Sequence, residues 1–197
     1  MSLLSNLFKK KVSLETQIEI VRDCGFKPNP GIDLVQAISG FEPSAYEADP
    51  FRLLLLMMGS ETEDESHIRI SDSLWHLDTE CIEDFGAYIR VAQRMVALAG
   101  GDLPLEDIED HVDVENETAW LSFTLDGRRI KWAAAVNHDW IDATVLSRFA
   151  ELLSTRNANK KYTYLDLQGQ DCLIGCMTPE QLSKTNKATG LKFTWLT

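Results

Sequence analysis

The chain has 197 residues, of which 25% are charged and 44% are hydrophobic, and its formal net charge at pH 7 is −12. This length and composition are typical of one globular domain and exclude a globally disordered chain. Because a strongly negative protein repels phosphate, the charge disfavours nonspecific binding to nucleic acid or to an anionic membrane, and it favours a basic partner or simple solubility.

The first 60 residues carry mainly helical signals. Ser13 is a suitable N-cap for a helix that ends near Gly25, and a second, shorter helix is predicted over residues 32–38. Pro43 and Pro50 are expected to break the chain around a polar link.

The apolar run at residues 51–58 fits either a buried helix or a buried strand. We interpret it as a helix, because Leu and Met outnumber the β-branched residues there. Residues 1–60 are therefore predicted to form a helical segment packed on an α+β domain of residues 61–197, the two making one compact unit.

The clearest strand and the clearest helix follow each other between residues 71 and 101. Residues 74–77 are an apolar-rich strand candidate, and apolar residues then recur every three or four positions, beginning at Phe85. This spacing predicts an amphipathic helix from about Glu83 to Ala99. Glu83 and Asp84 would lie in its first turn, where carboxylates oppose the positive end of the helix dipole.

Beyond this helix the pattern is rich in strands. A short strand is predicted at residues 112–115, and residues 119–125 and 129–136 alternate on either side of Asp126-Gly127. This dipeptide favours a tight hairpin turn. Asp142 is expected to cap the helix that follows.

A second strand pair is predicted over residues 162–167 and 172–177. Thr178 and Gln181 then fit a capping box at the start of a helix, with a proline at the first helical position. The expected fold class is α+β, a mixed α/β fold in which β-hairpins alternate with helices. Helices would cover the sheet, and the N-terminal segment would add a helical layer.

The acidity of the chain is confined to its middle. Residues 61–117 contain 17 carboxylates, and their only Lys or Arg residues are Arg69, Arg90 and Arg94. The net charge of this segment is therefore −14, and that of the remaining residues is +2. Eight of these carboxylates fall in residues 102–117, which contain no Lys or Arg. A run of charge is often only a solvated surface. The alternative is a docking face for a cationic protein, since complementary charge speeds encounter and fixes orientation.

Two alternating sets of residues have the chemistry of metal ligands. The sets are His76, Asp78 and Glu80, and His111, Asp113 and Glu115. Alternate residues of a strand point to one face, so the first set could hold a divalent metal for a hydrolase. Strands often end in polar residues without any metal. The metal-dependent hydrolase is therefore an alternative hypothesis, and no metal or cofactor is expected.

Two polar links have both a structural and a functional interpretation. Residues 137–142 contain two carboxylates, a His and a Trp. They could form a binding loop. This combination is more typical of an Asx turn with an Asp that caps the next helix and an indole that anchors the link. The turn Gln168-Gly169-Gln170-Asp171 could present amides to a ligand, but such turns more often need only their glycine.

The sequence has no familiar catalytic motif. It lacks G-x-S-x-G, a P-loop and G-x-G-x-x-G. Cys24, Cys81, Cys172 and Cys176 have neither CxxC nor metal-finger spacing, and no signal peptide is recognised, so we expect reduced thiols in a cytoplasmic protein. These observations favour a binding protein over an enzyme.

Three stretches, LWHLDTECIEDFGAYI, WLSFTLDGRRIKWAAAVNHDWID and YLDLQGQDCLIGCMTPEQL, resemble a group of small acidic bacterial proteins of poorly defined function. Some members of this group look like immunity proteins of polymorphic toxin systems. The resemblance covers about residues 50–195. It implies a cytosolic, noncatalytic inhibitor that binds and blocks a partner toxin, and it carries over no site residue.

The charge and the resemblance agree, because an acidic protein can mask the cationic site of a basic toxin. The predicted partner-binding residues are Glu106, Asp107, Glu109, Asp110 and Asp113. A nearby exposed aromatic or apolar residue is expected to supply most of the affinity. The remaining hypothesis is a structural or regulatory adaptor that self-associates through the apolar N-terminal layer.

Overall fold

The computed structural model describes residues 12–62 and 68–197, and within them the chain forms seven helices and seven strands. The helices are α1 (Leu14–Asp23), α2 (Leu34–Ala37), α3 (Pro43–Ala48), α4 (Arg52–Gly59), α5 (Ala87–Ala99), α6 (Ala143–Arg156) and α7 (Pro179–Thr189). The strands are β1 (Leu74–Asp78), β2 (Glu106–Asp113), β3 (Thr118–Leu125), β4 (Arg128–Ala134), β5 (Lys161–Asp166), β6 (Asp171–Met177) and β7 (Thr194–Trp195).

The strands form two antiparallel sheets. One has four strands in the order β1-β6-β5-β7, and the other has three in the order β2-β3-β4. The β3–β4 turn at Asp126-Gly127 has φ of 51° and 74°, and both φ values of Gln168-Gly169 in the β5–β6 turn are 75°. Two consecutive positive φ values match the tight turns that suit the strand twist. The predicted α+β class, with hairpins alternating with helices, is confirmed.

The four-stranded sheet separates two apolar cores. Leu74 of β1 packs in a core with the N-terminal helices, whereas Trp75 and Leu77 pack in a second core with α5, α6 and the inner face of the three-stranded sheet. This division follows from the period of two along a strand. The predicted N-terminal helical layer thus covers one face of this sheet.

The apolar side chains of α1 and α4 are turned into this core, with Val21 and Leu54 fully buried. These side chains are therefore not available for contact with a second copy of the chain, as the self-association hypothesis would require. Val35 and Phe41 of the same layer are 62% and 47% exposed.

The link between Pro43 and Pro50 is partly helical, which corrects the expectation of a broken chain. Pro43 begins α3 at a position where the missing N–H has no helical partner and the fixed φ suits a helix. The buried amide of Gln17 then ties the link down, donating to Tyr46 O at 3.0 Å and accepting from the N–H of Phe51 at 2.8 Å. The predicted helix at residues 51–58 is confirmed as α4.

Asp142 caps α6 as predicted, and it provides a test of pH dependence. Its carboxylate accepts the N–H groups of Thr144 at 2.9 Å and Ala135 at 2.8 Å. Burial alone would raise the pKa of this carboxyl, but these hydrogen bonds outweigh burial and lower it. Because the pKa is lower in the folded protein, the ionised carboxylate stabilises the fold at any pH above its unfolded-state pKa of about 3.9. This stabilisation is lost as the pH falls through the folded-state pKa.

We expect Asp142→Ala to lower the free energy of unfolding by about 1 to 2 kcal/mol at pH 7, because a helix loses its N-cap. Urea titrations from neutral pH down into the acid range, followed by circular dichroism, would measure this. The difference between the variant and the unmodified protein should shrink below the unfolded-state pKa. A difference that stays constant with pH would contradict the assigned role of the ionised carboxylate.

Candidate functional site

The acidic strand β2 lies at one edge of the three-stranded sheet, and β3 is the only described strand with which it pairs. Glu109 and His111 stand opposite Ser122 and Trp120 on the outward face, while Leu121 and its alternates point into the core. An edge strand offers unpaired backbone groups to another chain, and charged side chains on it discourage pairing with an identical copy. The charged side chains of β2 therefore disfavour pairing of this edge with an identical copy.

Four of the five predicted partner-binding residues reach solvent. Glu106, Asp107 and Glu109 are exposed, and Asp113 is half-buried. The strand bulges between Glu106 and Glu109, where Asp107 adopts a φ of 50°. Asp113 accepts the side-chain amide of Asn116 at 2.8 Å and its backbone N–H at 2.9 Å, and these hydrogen bonds lower the pKa of its carboxyl. These four residues stay together as a negatively charged edge.

The fifth residue, Asp110, does not belong to the surface, which corrects the prediction. It is 3% exposed, and its side chain points inward from β2. Its carboxylate accepts the N–H groups of Gly86 at 2.9 Å, Tyr88 at 2.9 Å and Ile89 at 3.1 Å. The first N–H groups of a helix have no partner within it and favour a negative charge. Asp110 therefore caps α5 and cannot touch a partner protein.

This cap exposes an aromatic side chain beside the acidic strand. Helix α5 begins four residues later than predicted, so Glu83 and Asp84 lie in the preceding loop. Phe85, expected on the buried face of the helix, is 68% exposed. The hydrogen bond between Asp110 and the N–H of Gly86 holds this loop against β2. Phe85 is thus an exposed aromatic residue in the loop that β2 holds in place.

Sequence reasoning missed Phe85 because its spacing matched the helical stripe. The available signal was Gly86, the next residue, since a glycine inside a helix is unfavourable and can mark a helix boundary. Gly86 has a φ of 92°, a conformation that favours glycine.

Cationic side chains on β4 limit the extent of the acidic surface. Arg129 donates to the carboxylate of Glu109 and, at 2.8 Å, to Ser122 Oγ. Lys131 Nζ lies 3.7 Å from the ring centroid of Trp120. The outward face of the sheet therefore changes from acidic at β2 to basic at β4.

The carboxylates of Glu106, Asp107 and Asp113 have no Lys or Arg partner in the part of the chain that the structure describes. Exposed Glu115 and Glu117 continue this negative edge into the β2–β3 turn.

Comparison with known proteins adds no relative to this description. No family model, curated protein or solved structure matches the chain. The resemblance to immunity proteins therefore stays a prediction. In the part of the chain that the structure describes, no helix is long and apolar enough to cross a membrane.

The predicted metal ligands do not assemble into a site. His76 Nε2 lies 2.7 Å from Asp171 Oδ1 on the neighbouring strand. Asp78 accepts the N–H of Glu80 at 2.9 Å and the amide of Gln170 at 3.3 Å. Among the described residues, no three His, Cys, Asp or Glu side chains form a group that could hold a metal ion.

The second predicted set is also engaged elsewhere. The His111 ring stacks on Trp120 with ring centroids 5.9 Å apart, while Asp113 binds Asn116. The hydrolase hypothesis thus has no assembled ligand set in the described residues.

The two polar links meet at Thr79, just after β1. Gln170 O accepts from the N–H of Thr79 at 2.9 Å and from its hydroxyl at 2.7 Å, and Thr79 O accepts the N–H of Ile141 at 2.8 Å. Trp140 and Trp195 line a groove of about 500 Å³ here. These hydrogen bonds to Thr79 hold the main chain of both links, and of the polar side chains in residues 137–142 it is Asp142 that has the predicted capping role.

Three cysteines are poorly suited to act as nucleophiles. Burial raises the pKa of Cys81 to about 11, of Cys172 to about 12 and of Cys176 to about 11. Asp78 adds to the effect at Cys81 and Asp171 adds to it at Cys172, whereas Lys160 opposes it at Cys176. The thiolate is the reactive form of cysteine, so these side chains are unreactive thiols at neutral pH.

Proposed function

We propose that this protein is a noncatalytic binding protein, an immunity-type inhibitor that blocks a cationic partner protein. The contact surface is the acidic edge of β2 together with the loop that carries Phe85. The observation that carries the proposal is the position of Phe85, which is 68% exposed and held beside the acidic strand by the bond from Gly86 to Asp110.

Such a surface combines the two components that a fast and tight interface needs. A few well-packed residues, often aromatic, supply most of the affinity of an interface. Complementary charge raises the association rate and fixes orientation more than it raises affinity. Phe85 has the first role. Exposed Glu106 and Asp107, with half-buried Asp113, have the second.

The acidic surface also indicates the chemistry of the partner. Residues 61–117 carry a charge of −14, which attracts a cationic protein and repels nucleic acid. A basic toxin whose active site is itself cationic would fit this surface, in agreement with the resemblance to immunity proteins.

The experiment is calorimetry of the purified protein with the product of the adjacent gene, at about 50 mM and about 200 mM salt, where screening differs strongly. Tight binding that salt weakens is the expected result. No binding to that product at either salt concentration would contradict the immunity-type function.

Variants of the surface separate its two components. We expect Phe85→Ser to weaken binding about tenfold, mainly through faster dissociation, because an aromatic anchor is lost. The double variant Glu106→Lys/Glu115→Lys should instead slow association and reduce its dependence on salt. Stopped-flow or surface-based kinetics would resolve the two rates.

The matched control is the double variant Glu19→Lys/Glu151→Lys, which changes the net charge equally at exposed positions of α1 and α6. It should leave the association rate much closer to that of the unmodified protein, because screened charges act locally. An equal loss in both double variants would show that the acidic edge has no special role.

A further inference from the structure

The three arginines of the acidic region converge on one cleft. Arg69, Arg90 and Arg94 are the only cationic residues between positions 61 and 117, and all three line a cleft of about 810 Å³ beside α5 and the start of β2. This volume lies within the range of small-molecule sites. We call it the arginine cleft.

Arg94 is the buried member of the group. It is 7% exposed, its Nη2 donates to Gly59 O at 2.7 Å, and its guanidinium lies 5.8 Å from the ring centroid of Trp75. A guanidinium carries five N–H donors, and Gly59 O is the single acceptor hydrogen-bonded to Arg94 within the described residues. Burial lowers the pKa of Arg94 to about 10, so the group stays charged at neutral pH. A buried charge favours an additional anionic partner.

The other two arginines extend the positive wall toward solvent. Arg90 is one helical turn from Arg94 on α5, its side chain is 62% exposed, and its Nη2 lies 4.0 Å from Asp84. Arg69 Nε lies 3.2 Å from Asp72. Because these ion pairs are exposed, they are weak and leave the guanidinium groups able to turn to a ligand.

Among the described residues that line the cleft, arginines outnumber carboxylates. Three arginines stand beside two carboxylates, Glu61 and Asp72, while Asp84, which pairs with Arg90, lies outside the lining. The cleft thus gathers every Lys or Arg of residues 61–117, a segment whose net charge is −14. An anion that approaches this acidic segment would meet its guanidinium groups here.

Apolar side chains form one part of the wall, which also includes the polar residues Asn29 and Gln93. Val96, Leu105 and Ile108 lie along the cleft and are only partly buried by the core behind them. A site with apolar walls and a few convergent polar groups is typical of small-molecule binding.

We propose that the arginine cleft binds a small organic anion, with its phosphate or carboxylate on the guanidinium groups of Arg90 and Arg94 and its apolar body against Val96, Leu105 and Ile108. The planar guanidinium binds both kinds of anionic group through paired hydrogen bonds. Phe85 does not line this cleft, and the proposal does not depend on the identity of a protein partner.

The test uses three probes on the full-length protein: phenyl phosphate, benzoate and inorganic phosphate. Titrations monitored by NMR would follow the amide resonances of Gln93, Ala97 and Ile108 around the cleft. Phenyl phosphate or benzoate should bind about tenfold more tightly than inorganic phosphate, because only they contact the apolar wall. The comparison of the two organic probes tells which anionic group the cleft prefers.

Arg90→Gln is the decisive variant, since this side chain is exposed and its replacement spares the fold. It should weaken binding of the organic anion about tenfold, the value of one charge-assisted hydrogen bond. Arg22→Gln, an exposed arginine of α1, is the matched control and should not change binding.

Three results would overturn the proposal. The first is that no probe perturbs the resonances of the cleft. The second is that Arg90→Gln and Arg22→Gln lose affinity for the organic anion equally. The third is that the organic anions bind no more tightly than inorganic phosphate.

Discussion

Asp110→Ala is expected to lower the free energy of unfolding by about 3 kcal/mol, because it removes a buried charged acceptor from several backbone donors at once. The carboxylate accepts the N–H groups of Gly86, Tyr88 and Ile89, and all three would lose their partner. The small Ala side chain would also leave a space between β2 and the start of α5, which water fills poorly beside buried Tyr88.

Urea unfolding at neutral pH would measure this loss, and two further variants define its origin. Asp110→Asn keeps one oxygen acceptor but removes the charge, so its effect should lie between that of Asp110→Ala and none. Glu109→Ala, the adjacent carboxylate on the outward face, breaks only a partly exposed pair with Arg129 and should lose less than about 1 kcal/mol.

Similar losses for Asp110→Ala and Glu109→Ala would contradict the assignment of Asp110 as the cap of α5. The binding experiment gives an independent check. If Asp110 holds the loop of Phe85 in place, Asp110→Asn should also weaken partner binding, although its side chain is too buried to touch the partner.

The local parts of this fold could be predicted because their signals lie within a few residues of each other. Ser13 caps α1 and Asp142 caps α6, and Thr178 forms the capping box of α7, each through a backbone N–H two or three residues away. The Asp126-Gly127 turn is likewise a property of two adjacent residues. Local chemistry therefore predicted most helices and both hairpins.

Strand β2 was predicted at residues 112–115 but runs over Glu106–Asp113, and its start was missed because a buried carboxylate interrupts its apolar alternation. The inward positions of the strand are Ile108, Asp110 and Val112, and the middle one is charged. A pattern search expects an apolar residue there. The charged residue is there because α5 is capped by an acid from outside its own sequence. The periodicity of β2 contains no information about that requirement of α5.

The same limit applies to the two candidate sites. Helical spacing places Arg90 and Arg94 on one face of α5, but their approach to Arg69 depends on how the chain folds back. The exposure of Phe85 depends in turn on Asp110. Both sites arise from contacts between residues distant in sequence, and local patterns do not predict such contacts.

Gly59→Ala is expected to lower the free energy of unfolding by about 3 kcal/mol through steric overlap. A Cβ on Gly59, the last residue of α4, would lie 2.5 Å from the backbone N of His76 and 3.0 Å from the backbone C of Trp75. These are backbone atoms of β1, which cannot rotate away as a flexible side chain would. The overlap outweighs the roughly 1 kcal/mol by which a helix prefers Ala to Gly.

The matched control for this variant is Gly40→Ala. No atom lies within 4 Å of a Cβ placed on Gly40, and its φ is outside the left-handed region. Its substitution should be neutral or slightly stabilising, because Ala reduces the entropy of the unfolded chain. Thermal and urea unfolding of the two variants side by side would test whether the close contact between α4 and β1 is the cause.

The effect of Gly59→Ala should extend beyond stability. Gly59 O accepts the hydrogen bond of Arg94, so a displacement of α4 away from β1 would change the position of the buried guanidinium. We therefore expect the folded variant to bind phenyl phosphate more weakly, whereas Gly40→Ala binds as the unmodified protein does. Unchanged stability of the Gly59→Ala protein would contradict the first expectation and would mean that α4 can move away from β1 at little cost in free energy. Unchanged binding of phenyl phosphate would contradict the second and would show that the position of Arg94 does not depend on this contact.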